Sequence, residues 1–113
     1  MIRVALIAAM SAALTAAADN TDGISPNEIL LGSPAAYRGQ AAGLGTEQLI
    51  GSLVYFEHIN QQGGVHGRKI RVIAYDDDYN PKPTVTAALR LLEKDKIFAL
   101  FDSVGTPTIV ELL

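Results

Sequence analysis

The sequence predicts an α/β fold: a three-layer, doubly wound parallel sheet in the order β-α-β-α-β-α. Three observations lead there. Short apolar runs alternate with longer segments of helical period. Glycine, proline, asparagine and threonine sit at the junctions between them. The third run, Ile97-Phe98-Ala99-Leu100-Phe101, is continuously apolar, the pattern of a strand covered on both faces by helices.

The elements follow in order. Residues 1–18 carry Arg3, an apolar run from Val4 to Leu14 and the small residues Ala16-Ala17-Ala18, the pattern of a secretory signal peptide cut after Ala18. The apolar run is short for a hydrocarbon core of ~30 Å. Residues 19–27 are a polar, turn-rich leader, and residues 28–113 are the folded part. Glu28 to Ser33 reads as a first strand, and Pro34 to Gly45 as a loop rich in alanine and glycine. Thr46 is the expected N-cap of a helix running to about Asn60, with Leu49, Leu53 and Phe56 on its buried side and Gly63-Gly64 as its stop. Lys69 to Tyr75 is a second strand, with Ile70, Val72 and Ala74 on one face and Ile73 on a partly covered other face. Asn80-Pro81 opens a second helix, where a first-turn proline loses no intrahelical bond. Its expected buried stripe is Val85, Ala88, Leu89 and Leu92. After the third strand, Thr106 reads as a second N-cap and Pro107 as a first helical residue. The last helix ends at Leu113 without a cap, and three strands are few for such a sheet. A truncated, amino-terminal piece of a larger protein is therefore expected, with apolar sheet surface left exposed.

Composition narrows the function. The 113 residues carry a formal charge of −3 and form no basic stripe, which speaks against a nucleic-acid surface. There is no cysteine, so neither a disulfide framework nor an amino-terminal lipid attachment is available. An exported, freely soluble protein of the periplasm is expected.

Several motifs invite chemistry. Asp76-Asp77-Asp78-Tyr79-Asn80 begins like a calcium loop, but Pro81 stands where the turn glycine belongs and Ala87 where the bidentate glutamate belongs. His58 and His66 lack the spacing of a helix-face metal pair and read as solvent-facing. Gly43-Leu44-Gly45-Thr46-Glu47-Gln48 starts like G-x-G-x-x-G, but its third glycine is Gln48 and it lies well past the first strand. An enzyme using Asp76 or Asp77 as a base needs a nucleophile, and none is recognisable. No cofactor or metal site is expected. The loop Ser103-Val104-Gly105-Thr106 is more suggestive. It joins the carboxyl end of a buried strand to a helix start, where free N–H groups and hydroxyls favour a carboxylate. A purely structural cap at Thr106 is the competing reading.

Taken together, "YFEHINQQGGVHGRKIRVIAYDDDYNP" and "LLEKDKIFALFDSVGTPT" resemble the leucine/isoleucine/valine-binding family of periplasmic substrate-binding proteins of ABC transporters, with the type I periplasmic-binding fold. The resemblance spans nearly the whole chain after residue 18. It implies two α/β lobes closing over a small solute, probed by a membrane permease, with this chain an incomplete first lobe. It implies no enzyme activity, no cofactor, a small amino-acid-like solute and a monomer at full length. A ligand-sensing receptor module with the same fold is the alternative. By position, Ser103, Gly105 and Thr106 match the loop that receives the α-carboxylate, Leu44 and Gly45 fall at the cleft rim, and Tyr75, Asp76 and Asp77 shape the loop at a strand end near the cleft. Groups for the ligand's ammonium are expected largely on the second lobe. The first loop departs from the family's longer Ser-Gly-Pro segment. Asp102 departs too, standing where a small residue, often glycine, is common. A carboxylate beside a carboxylate site repels it unless the side chain turns away.

Overall fold

The computed structural model describes residues 21–113, so the expected signal peptide lies outside the described residues. The elements are β1 (Glu28–Ala35), α1 (Ala42–Gln61), β2 (Lys69–Asp76), α2 (Pro81–Glu93), β3 (Ala99–Leu100) and α3 (Thr106–Val110). All three strands are parallel, and β1 lies between β2 and β3. The alternation read from the sequence is therefore the observed fold. Part of the leader joins it: Ile24 bridges Ile29, and the Gly23 carbonyl accepts the Leu30 N–H at 2.7 Å.

β1 runs two residues further than expected, through Pro34, which pairs with Tyr75. A proline inside a central strand normally breaks a ladder. Here it does not, for a geometric reason. Pro34 is in phase with Leu30 and Gly32, whose carbonyls accept Phe98 and Phe101 N–H groups on the β3 side. The β1–β3 ladder ends at Gly32, so the missing N–H of Pro34 faces a side where no partner remains to be paired.

α1 begins at Ala42, four residues before Thr46, which is therefore an interior residue and not the N-cap. Ala41 takes the cap position without a side-chain hydrogen bond. The early start lets Gly45 enter the helix facing the end of β1. A Cβ at Gly45 would lie 2.1 Å from the Ala36 carbonyl oxygen, so the helix backbone rests directly on the backbone just after β1. The sheet-facing side of α1 continues through Leu49, Ser52, Phe56 and Ile59, whereas Leu53 is exposed and not buried as expected. Gly63 and Gly64, both with positive φ, end the helix and return N–H groups to the Asn60 and Ile59 carbonyls.

β2 is an edge strand of this sheet. Asn60 closes one rung of its open side, accepting the Ile70 N–H at 2.7 Å and donating to the Ile70 carbonyl at 2.9 Å. Ile73, on the other face, packs on the small core of Leu30, Leu91 and Ile97, as do Tyr75 and Leu100.

α2 is capped by Asn80, whose side chain accepts the Lys82 N–H. Its buried stripe is Thr84, Ala87, Ala88 and Leu91. That corrects the expected Val85, Ala88, Leu89 and Leu92: only Ala88 is in the buried stripe, Val85 is half-buried, and Leu89 and Leu92 are 49% and 43% exposed. The cause is Thr84, whose hydroxyl lies 2.8 Å from the buried Asp77 carboxylate and fixes the helix's rotation.

β3 is shorter than the run Ile97 to Phe101 and is an edge strand among the described residues, with Leu100 packed on the core and the adjoining Phe101 on Phe56 of α1. Ile97 is buried, but Phe98 is 55% exposed. α2 and α3 pack together on one face of the sheet, and α1 lies on the other. α3 starts at Thr106 after Gly105, whose φ is 107°, so Thr106 is the first helical residue and makes no capping bond. Thr108 does the local work instead, placing its hydroxyl 2.6 Å from the Val104 carbonyl and 2.7 Å from that of Gly105.

Replacing Gly45 by alanine tests the α1–β1 contact. The added methyl meets backbone, which has little room to move, so Gly45→Ala is expected to destabilise the chain by about 3 kcal/mol in urea unfolding. Gly43→Ala and Gly51→Ala meet nothing within 4 Å and are expected to be neutral or to stabilise by up to about 1 kcal/mol.

Candidate functional site

In an open parallel sheet, the crevice outside the carboxyl ends of the strands opens where neighbouring connections leave in opposite directions. Here that point lies between β1 and β3: the chain leaves β1 through α1 toward β2, and leaves β3 through α3 on the opposite face. Three segments meet there. They are the end of β1 with the following Tyr37, the first turns of α1, and the loop Phe101 to Gly105.

The β1 end is made of small buried residues, Ser33, Pro34, Ala35 and Ala36. Ser33 links it to the β3 loop. The Tyr37 and Ser33 hydroxyls share a hydrogen bond of 2.6 Å, and Ser33 donates to the Asp102 carbonyl at 3.3 Å. Burial pushes the Tyr37 phenol above its ordinary value; the Ser33 hydrogen bond pulls it back, and the negative charges of Asp102, Asp77 and Asp76 push it up again.

Asp102 has φ of 63°, in the left-handed region where glycine is unstrained and another residue costs roughly 1 kcal/mol. Its carboxylate does not face the mouth of the crevice. It accepts from Gln48 Nε2 on one oxygen and from Ser52 Oγ at 3.1 Å on the other. Next to it, the Phe101 ring packs on Phe56 of α1, with centroids 5.3 Å apart. Gln48, Ser52 and Phe56 recur every four residues, so one stripe of α1 grips the end of β3.

The expected site residues fall in several places. Gly45 is buried against β1, and Leu44 is 59% exposed in the first turn of α1. Ser103 and Gly105 are half-buried in the β3–α3 loop, and Thr106 is exposed at the start of α3. Gly105 lies under the Tyr79 ring; a Cβ there would be 2.6 Å from Tyr79 Cε2. Asp76 accepts the N–H groups of Tyr37 and Arg38 at 2.7 and 3.0 Å, which holds the loop after β1. Asp77 is fully buried and accepts the Tyr79 N–H at 2.9 Å as well as facing Thr84. Tyr75 turns elsewhere: its hydroxyl donates to Asp95 beyond α2, and Arg90 stacks over its ring at 4.4 Å. The bond to Asp95 raises the Tyr75 phenol.

Ser33, Tyr37, Gln48 and Ser52 were not singled out by the sequence pattern. The four-residue spacing of Gln48, Ser52 and Phe56 is the signal that could have found two of them, but polar residues on a helix read as solvent-facing. A groove of about 680 Å³, lined by Arg38, Lys82 and Arg90 among others, lies beside β2 and α2. Its volume reflects the open sheet edge there, and none of the crevice loops except that of Arg38 and Asp76 reaches it.

Two measurements test this geometry. Gly105→Ala adds a methyl at positive φ beneath Tyr79 and is expected to cost about 2 kcal/mol or more in unfolding experiments. The raised phenol of Tyr37 ionises later in the folded chain than in the unfolded one. Its contribution to stability is full below about pH 10, the unfolded value, and is lost as pH rises through the folded value. Tyr37→Phe should therefore flatten the fall in stability above that pH, measured by urea unfolding across the alkaline range.

Comparison with known proteins agrees with this architecture. A protein from Pseudomonas aeruginosa named amino acid binding protein is 33% identical over 73 residues, which is 65% of this chain and 20% of the relative. A possible leucine/isoleucine/valine-binding protein from Rhodopirellula baltica superposes with a TM-score of 0.72 at 29% identity, covering 76% of this chain and 23% of that one. A fatty acid ABC transporter substrate-binding protein from Thermomonospora curvata gives a TM-score of 0.72 at 27% identity, covering 80% and 23%. The chain thus spans less than a quarter of the length of these relatives, each of which is named as a binding protein. The sequence model described as periplasmic binding protein matches residues 28–112, and the chain belongs to that family.

Proposed function

We propose that the chain forms part of the first lobe of an ABC-transporter solute-binding protein, which captures a small amino-acid-like solute in the periplasm and presents it to a membrane permease. Residues 1–18 serve as its export signal in this reading, and the protein needs no cofactor. The observation that carries it is the meeting of three segments at the carboxyl ends of β1 and β3, with Ser103 and the Gly105 backbone in one of them and the Thr106 hydroxyl just after it. The named relatives support a carboxylate-bearing solute, because branched-chain amino acids and fatty acids share that group. Ser103, Gly105 and Thr106 receive it, while Leu44 and Gly45 form the rim. Asp76 and Asp77 hold the neighbouring loops and do not touch the solute.

A lobe binds by closing against a second one, and binding energy drives the closure. Half of a clamshell supplies part of the contacts and cannot exclude water. Titration calorimetry with L-leucine, L-isoleucine and L-valine tests the reading. The full-length protein is expected to bind at least one of them saturably, and residues 21–113 alone about a hundredfold more weakly or not at all. Absence of binding to full-length protein, or turnover of a bound compound, would count against it.

A further inference from the structure

The Asp102 carboxylate stands next to the loop assigned to a solute carboxylate, and the structure shows what keeps the two apart. With φ of 63°, the Asp102 backbone takes the left-handed conformation, and its side chain is aimed toward α1. Both of its oxygens lie against α1, one bonded by Gln48 Nε2 and the other 3.1 Å from Ser52 Oγ, which also lies 3.0 Å from the Gln48 carbonyl. Gln48 and Ser52 are three and seven residues beyond Gly45, the residue that touches the end of β1. At 1.5 Å of rise per residue, Ser52 lies about 10 Å down the helix from the crevice rim. The carboxylate is thus held back along the body of α1. Both donors are uncharged, so the charge of Asp102 is positioned and not neutralised. Meanwhile the Asp102 carbonyl is fixed by Ser33, Phe101 N–H is bonded to Gly32, and the Phe101 ring is packed on Phe56. The loop backbone is therefore anchored without any help from the Asp102 side chain.

We infer that Gln48 and Ser52 are specificity-determining residues: by holding the Asp102 carboxylate on α1, they keep the crevice open to an anionic group on the solute. This rests on the solute-binding reading above and adds to it the residues that keep the crevice open to the solute's carboxylate. If the two donors are lost, nothing holds the carboxylate on α1. It becomes free to swing toward the loop at Ser103 and repel a solute carboxylate, while favouring a solute with the carboxylate masked.

The test uses full-length protein and two probes, L-isoleucine and L-isoleucinamide, which differ in the charge of one group. The ratio of their affinities is the readout. Gln48→Ala with Ser52→Ala is expected to lower the preference for isoleucine over its amide by roughly tenfold or more. Adding Asp102→Gly or Asp102→Asn to that double variant is expected to restore the preference, because the displaced charge is gone. An unchanged ratio in the double variant overturns the proposal. So does a loss of both affinities that neither Asp102 substitution relieves, since that outcome marks Gln48 and Ser52 as packing residues. If the unaltered protein binds neither probe, the solute-binding reading itself fails and this proposal with it, which separates the two failures.

Discussion

The structure depends on one backbone contact, the approach of α1 to the end of β1 at Gly45 and Ala36. Every side chain larger than hydrogen at residue 45 would force the helix away from the sheet. Because the helix sits this close, its next turns reach the segment just after β3, where Gln48 and Ser52 meet Asp102 and Phe56 meets Phe101. The small residues from Gly32 to Ala36 serve the same end on the strand side, since bulk there would fill the space the helix occupies.

The aspartates after β2 play a supporting part. Asp76 and Asp77 divide the adjoining loops between them, Asp76 holding the chain after β1 and Asp77 the turn into α2. A fully buried carboxylate is tolerated when its oxygens are hydrogen-bonded, and Asp77 has both the Tyr79 N–H and the Thr84 hydroxyl. The loops of the crevice are thus tied to the sheet by side chains rather than by a large apolar core, which here centres on Leu30, Leu91 and Ile97.

The element order and the parallel sheet were legible in the sequence because they rest on alternation and on local turn chemistry, which are written in neighbouring residues; the family was legible as a resemblance carried by residues 55–81 and 91–108. The structure departs from the pattern where a distant partner or an unusual backbone angle decides the outcome. Thr46 and Thr106 look like N-caps, but the α1 start is set by the Gly45 contact and the α3 start by Gly105 at positive φ. Thr84 looks like a surface residue, but Asp77 draws it inward and turns the whole face of α2 by one residue. Pro34 looks like the end of a strand, but its missing N–H falls where no ladder remains. Of the crevice, the loop from Ser103 to Thr106 and the unusual Asp102 were visible, whereas the groups that restrain Asp102 lie 50 and 54 residues away in sequence and carry no local mark.

The most direct test of the account is a crystal structure of the full-length protein with L-isoleucine bound. The account predicts the solute carboxylate at the loop of Ser103, Gly105 and Thr106, with the Asp102 carboxylate still held by Gln48 and Ser52. Density for the solute in the groove of Arg38, Lys82 and Arg90, or a direct contact between Asp102 and the solute carboxylate, would contradict it.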